Sequence, residues 1–116
     1  MNEDTIAALS TPAGMGAISV IRISGPEALQ IAGKVFVSPS GKSLSAAATH
    51  TAHFGTVMDG DSAIDEVIAT VFRAPKSFTG EDTVEFSCHG SVFIQQQMLQ
   101  LLVRRGARMA MAGEFT

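Results

Sequence analysis

KSFTGEDTVEFSCHG, running from Lys76 to Gly90, is the stretch whose reading decides the fold. From Thr83 to Cys88 the apolar residues Val84, Phe86 and Cys88 alternate with Thr83, Glu85 and Ser87, the period of two that marks a strand with unlike faces. Gly80, Glu81 and Asp82 supply the turn that starts this strand. Glu85 therefore stands in mid-strand, where a carboxylate is either a solvated outer-face residue or a ligand group held rigidly by the sheet.

Working outward, Ala17 to Ser24 reads as a second strand, with Ile18, Val20 and Arg22 on one side and Ser19, Ile21 and Ile23 on the other. Both sides are largely apolar, which predicts a central position and leaves Arg22 as a cation in an apolar neighbourhood. Thr5 to Leu9 reads as a short strand ahead of the breaker-rich loop Thr11 to Gly16. Ser24 to Glu27 fits a capping box, and Ala28, Leu29, Ile31, Ala32, Val35 and Phe36 form one apolar stripe, predicting a helix from Pro26 to Val35. Ser38 to Ala48 is a loop by composition. Thr51 to Met58 and Glu66 to Phe72 predict a hairpin around Asp59-Gly-Asp. A second helix is predicted from Val92 to Arg105, with Phe93, Ile94, Gln97, Met98, Leu101 and Leu102 at helical spacing, Gly106 as C-cap and a last short strand at Arg108 to Ala110. The resulting class is α+β: a mixed β-sheet with two main helices.

With 116 residues, 46% of them apolar and 16% charged, the chain is read as one folded domain, residues 1–116. So few charges also suggest that part of its apolar surface is covered by a partner or a second copy. The net charge of -3, with no basic cluster beyond Arg104 and Arg105, disfavours nucleic-acid binding by this piece alone. Cys88 is the only cysteine, so no internal disulfide forms and a reducing cytoplasm fits. The amino terminus lacks a signal pattern and no apolar run approaches the ~18 residues of a membrane span, which predicts a soluble, untargeted protein. The chain stops at Gly113 to Thr116 without a tail, which reads as a fragment boundary.

Several motifs carry less than they seem to promise. Gly41-Lys42-Ser43 imitates the end of a phosphate-binding P-loop, yet Phe36 stands where that loop needs its first glycine. Gly14-Met-Gly16 lacks the third glycine of a dinucleotide fingerprint and leads into a strand, so a plain turn is favoured over a ligand loop. His50 and His53 fall on opposite faces of a strand, as do Cys88 and His89, so no metal site is expected. No nucleophile and base are paired by local spacing, and no catalytic residue is assigned. Arg22 and Glu85 remain as the candidate pair: they form a salt bridge with each other, are separately solvated, or hold a ligand between them.

Four stretches together narrow these choices by resemblance: Asp4-Thr-Ile-Ala-Ala8 with Thr11-Pro12; Ile21-Arg-Ile-Ser-Gly-Pro26; Ala74-Pro-Lys-Ser-Phe-Thr-Gly-Glu-Asp82 with Glu85 and Cys88-His-Gly90; and Gly106-Ala-Arg108 with Gly113-Glu-Phe-Thr116. They resemble the N-terminal domain of the MnmE (TrmE) family of tRNA modification GTPases, over nearly the whole chain. The resemblance implies a fold like the tetrahydrofolate domains of glycine-cleavage-type enzymes and a homodimer with its ligand near the interface. By the same resemblance Arg22 and Glu85 hold 5-formyltetrahydrofolate, together with a lysine downstream of the Gly-Glu-Phe-Thr motif. A carboxylate accepting from the adjacent ring N-H and amino group of a pterin in a two-pronged contact agrees with this.

The resemblance further implies a helical domain and an inserted GTP-binding domain that are absent here, and the latter would bind GTP with Mg and K. The parent protein would be a GTP hydrolase that modifies the wobble uridine of tRNA with the flavoprotein MnmG. Folate would bring the one-carbon unit, the flavin the redox chemistry and GTP hydrolysis the conformational drive. Two departures from the family pattern stand out: Met15 replaces an arginine of the glycine loop, and Ser91 replaces a glycine after Cys88-His-Gly90. A purely structural dimerisation module with a degenerate folate pocket is the alternative, and direct tRNA binding a third reading that the charge disfavours.

Overall fold

The computed structural model describes residues 4–11, 16–77 and 79–111. Its strands are β1 (Ile6–Leu9), β2 (Ile18–Ser24), β3 (Phe36–Val37), β4 (Thr51–Asp59), β5 (Ser62–Phe72), β6 (Thr83–His89) and β7 (Arg108–Met109), with helices α1 (Ala28–Val35) and α2 (Val92–Arg104). All seven strands join one sheet in the order β3-β4-β5-β6-β2-β1-β7. Every neighbouring pair is antiparallel except β1 with β7. The architecture is α+β, a mixed sheet with two main helices.

Alternation sorts the side chains as the sequence predicts. Ile21 and Ile23 of β2, Val84 and Phe86 of β6, and Val67, Ala69 and Val71 of β5 form one buried cluster with Leu29, Ile31 and Val35 of α1 and Met98, Leu101 and Leu102 of α2. The helices thus cover one face of the sheet. Arg22, Glu85 and the residues in phase with them lie on the other, which no helix of the described residues covers.

Several boundaries differ from the sequence reading, each for a local reason. Helix α1 starts at Ala28 because the capping box does not form: Ser24 Oγ shares hydrogen bonds with Thr79 Oγ1 (2.7 Å) and Thr83 Oγ1 (3.1 Å), and Glu27 is the N-cap without a side-chain bond. Phe36 leaves the helical stripe for β3, where it pairs with Val57 and sets its ring 6.4 Å from that of Phe86. The Ser38 to Ala48 connection contains a 3-10 turn, Leu44–Ala46, that buries Leu44. The hairpin is longer than predicted, with a bulge between Val57 and Met58 that alters the register before the turn. On α2 Phe93 is exposed, and Gln95 takes a buried place by donating from Nε2 to Ser19 Oγ at 2.6 Å. The C-cap of α2 is Arg105, and Gly106 follows it at φ 124. Ser91 is the N-cap of this helix, its hydroxyl accepting from the Ile94 amide at 3.3 Å.

Candidate functional site

β2 and β6 are adjacent, and their register sets Arg22 directly opposite Glu85. Arg22 donates to Glu85 Oε2 from both Nε (2.8 Å) and Nη2 (2.6 Å). The two side chains are 16% and 25% exposed, so water competes weakly for this charge-assisted contact. Of the sequence alternatives, separate solvation does not occur: the two side chains form an ion pair. Both donors converge on one oxygen, however, and Oε1 of Glu85 has no partner among the described residues. The pair therefore differs from the two-oxygen fork of a closed structural bridge, and one carboxylate oxygen is not used by Arg22.

The surroundings are small and polar on one side, apolar on the other. Ala8 of β1 is the register partner of Arg22, and Thr70 of β5 that of Glu85, so neither neighbour crowds the pair. One pleat further along the same face, Ser24, Thr79 and Thr83 form a closed hydroxyl cluster, with Thr79 and Thr83 3.1 Å apart. Thr79 arrives from the turn block ahead of β6, which is tied down by Ala74 N donating to Asp82 Oδ1 (2.9 Å), by Gly25 N donating to Asp82 O (3.0 Å), and by the Ser77 hydroxyl donating to the Glu81 carbonyl. The acidic turn that precedes the strand is thus a brace for the sheet end rather than a second carboxylate pair.

In the opposite direction a shallow hollow of about 190 Å³ opens beside Ile18, Ile68, Ser87 and His89. His89 is anchored there through its amide and its Nδ1 to Asp65, at 2.8 and 2.7 Å. The sequence reading missed Thr70, Thr79 and Asp65 near the site. Each comes from a segment whose proximity depends on strand pairing, and no local spacing announces it.

The remaining candidates separate. Cys88 points into the core and His89 to solvent, as the alternation requires. His50 does not lie on a strand: it precedes β4 at φ 61, with its ring edge-on to Phe72 at 5.3 Å, while His53 Nε2 contacts Thr51 Oγ1 at 2.7 Å. Among the described residues no group of three His, Cys, Asp or Glu side chains converges as metal ligands would. Met15, Phe78 and the Gly113 to Thr116 motif lie outside the described residues. The near end of the glycine loop is structural: Gly16 N donates to Gly90 O at 3.0 Å, and a Cβ on Gly90 would collide with the Gly16 carbonyl.

Cys88 shows how the buried side of β6 differs from its open side. Burial, reinforced by the Asp65 carboxylate, pushes the thiol up to about 11, while Sγ donates to the Ser19 carbonyl at 3.5 Å. The folded state thus holds the proton more tightly than the unfolded chain. Its contribution is complete below the ordinary thiol value and is lost as pH rises from there through about 11. Native protein should resist iodoacetamide at neutral pH, react on unfolding, and lose less alkaline stability as Cys88→Ala than unchanged. Rapid labelling of the folded chain would contradict this.

The seven-stranded mixed sheet with one open face and a strand-borne arginine–glutamate pair defines the setting in which similarity to known proteins becomes informative. The family described as GTP-binding protein TrmE N-terminus matches residues 5–116. The chain belongs to that family. It is 61% identical over 98% of its length to the tRNA modification GTPase MnmE of Christiangramia forsetii, covering 24% of that protein. It is likewise 57% identical over its full length to the MnmE of Flavobacterium johnsoniae and 51% identical over 97% of its length to that of Bacillus subtilis, covering 25% of each. The chain therefore spans about a quarter of the length of these relatives.

Proposed function

We propose that this chain is the folate-binding and dimerising N-terminal domain of a tRNA modification GTPase, and that Arg22 and Glu85 hold 5-formyltetrahydrofolate. The observation that carries this reading is the half-buried Arg22–Glu85 pair on the open sheet face, with Oε1 of Glu85 unspent. A reduced pterin presents a ring N-H beside an amino group, a donor pair matched to a carboxylate edge. On binding, Glu85 turns both oxygens to that edge and Arg22 retains its contact or passes to an acidic part of the ligand. The flat hollow by Ile18 and Ile68, one pleat along β6 from Glu85 at Ser87, offers apolar surface on the same face, and small-molecule sites combine such surface with a few polar groups.

The other functions belong to the longer protein. GTP with its Mg and K, the flavoprotein MnmG and tRNA are engaged by segments beyond this chain, and the assembly works in the cytoplasm. The net charge of -3 supports the view that this domain does not hold tRNA by itself. Among the described residues no helix is long and apolar enough to cross a membrane. Titration calorimetry with 5-formyltetrahydrofolate tests the central claim: heat with saturable binding supports it, and none at high ligand concentration favours a structural dimerisation module instead.

Exposed apolar side chains on the open face support the homodimer. Phe54 and Ile68, 53% and 40% exposed, are register partners across β4 and β5, and Val37 and Ile18 extend the stripe to either side. A second copy would remove this surface from water. Phe54→Asp, at an exposed position, should shift the chain from dimer to monomer in sedimentation without unfolding it. A dimer that survives this change would place the interface elsewhere.

A further inference from the structure

We propose that the pocket beneath the Ser38 to Ala47 connection, on the side of the sheet opposite to Arg22 and Glu85, binds a small phosphate monoester. It is a half-open hollow between that connection and His53 of β4, and its volume is about 210 Å³. Buried Phe36 and Leu44 form its apolar floor, and Ser38, Lys42, Ser43 and His53 bring polar groups to its walls. A nucleotide exceeds this space, since drug-sized ligands need upwards of about 300 Å³. A phosphate with a few carbons does not.

The polar groups are biased towards donation. Thr51 Oγ1 spends its only hydrogen on the Ala48 carbonyl at 2.6 Å, so its 2.7 Å contact with His53 must be donated by the Nε2-H of the ring. This fixes the imidazole tautomer. The hydroxyls pair off, Ser38 with Ser40 at 2.9 Å and Ser43 with Ser45 at 2.7 Å. In each pair one hydrogen is used between the partners and the other remains available to an acceptor.

Charge points the same way. From Ala28 to Met58 the sequence contains no aspartate or glutamate, although acids outnumber lysines and arginines 11 to 8 in the whole chain. The four ion pairs of the described residues use Arg22, His89, Arg104 and Arg108, and none involves Lys42. An ammonium without a carboxylate, together with hydroxyl donors over an apolar floor, suits a compact dianion with a short carbon body. The Gly41-Lys42-Ser43 sequence is thus no P-loop, yet it brings a lysine and a serine to the pocket that their loop helps to close.

The inference does not depend on folate binding, and its test separates the two. Titrating the ¹⁵N-labelled chain with glycerol 3-phosphate should move the amide signals of Gly41 to Ser45 and the ring signals of His53. Lys42→Met, at an exposed position, should weaken this binding by about tenfold or more, a loss of ~1.4 kcal/mol. Glu85→Ala should leave it unchanged. A diester-linked RNA oligonucleotide of matched charge should not reproduce the shifts; if it does and the monoester does not, the monoester assignment is overturned. The site itself is refuted if no signal moves at about 10 mM ligand, ~2.7 kcal/mol by affinity arithmetic, or if sodium chloride at equal ionic strength moves the same ones.

Discussion

Glu85→Ala should abolish measurable binding of 5-formyltetrahydrofolate. Two hydrogen bonds to a charged carboxylate contribute roughly 1.5–3 kcal/mol each, so their joint loss weakens binding by more than about 100-fold. The change also removes the acceptor for two donors of Arg22, whose side chain is only 16% exposed. Folding stability should fall by about 1–3 kcal/mol on that account, less if water reaches the guanidinium. Glu85→Gln distinguishes the two effects. An amide keeps the shape and one acceptor, which supports Arg22, but turns an NH2 group towards ligand donors that need a carboxylate. The glutamine variant should therefore fold better than the alanine variant and still fail in calorimetry. Unchanged folate binding by Glu85→Ala would end the proposed assignment of this residue.

A large effect on stability is expected at Gly25. This residue joins β2 to α1 at φ 142, and a Cβ there would come within 2.6 Å of the Thr5 Cα and 2.8 Å of the Asp4 carbonyl. Both obstacles are backbone, so no side-chain rotation relieves them. Strain at a glycine-only conformation and overpacking each cost about 1–3 kcal/mol, and Gly25→Ala should lose about 2–5 kcal/mol in urea unfolding. Gly60→Ala is the control. It also has positive φ, 60°, but has nothing within 4 Å of the added Cβ, and should lose only about 1 kcal/mol. Equal losses at the two positions would show that the close approach to Thr5 is unimportant.

How far the sequence revealed this structure depended on the reach of each signal. The strand periods were legible: a period of two separated Arg22 from Ile21 and Ile23, and Glu85 from Val84 and Phe86, as the buried and open faces of the sheet do. Which strands pair was not legible, because Arg22 and Glu85 meet only through a register between segments 63 residues apart. β3 escaped because a two-residue strand is too short to alternate, and Phe36 fits the preceding helical stripe equally well. The capping box was a sound local pattern overruled from a distance, when hydroxyls of Thr79 and Thr83 claimed Ser24. The burial of Gln95 was not legible for a similar reason, since only the folded chain brings Ser19 within reach of its amide. Composition and motifs determine the elements here; tertiary neighbours decide how their polar groups are spent.

Thr5 occupies a small crossroads in this sheet. Its hydroxyl accepts from the Glu27 amide at 2.9 Å, its carbonyl accepts from Arg108 at 2.8 Å, and its Cα rests against Gly25. The last strand consequently runs alongside the first and in the same direction. Tension drawn through the polypeptide past Met109, against an anchored amino-terminal strand, would be borne lengthwise, so that the bonds joining the two strands would share the load and yield together instead of peeling one by one.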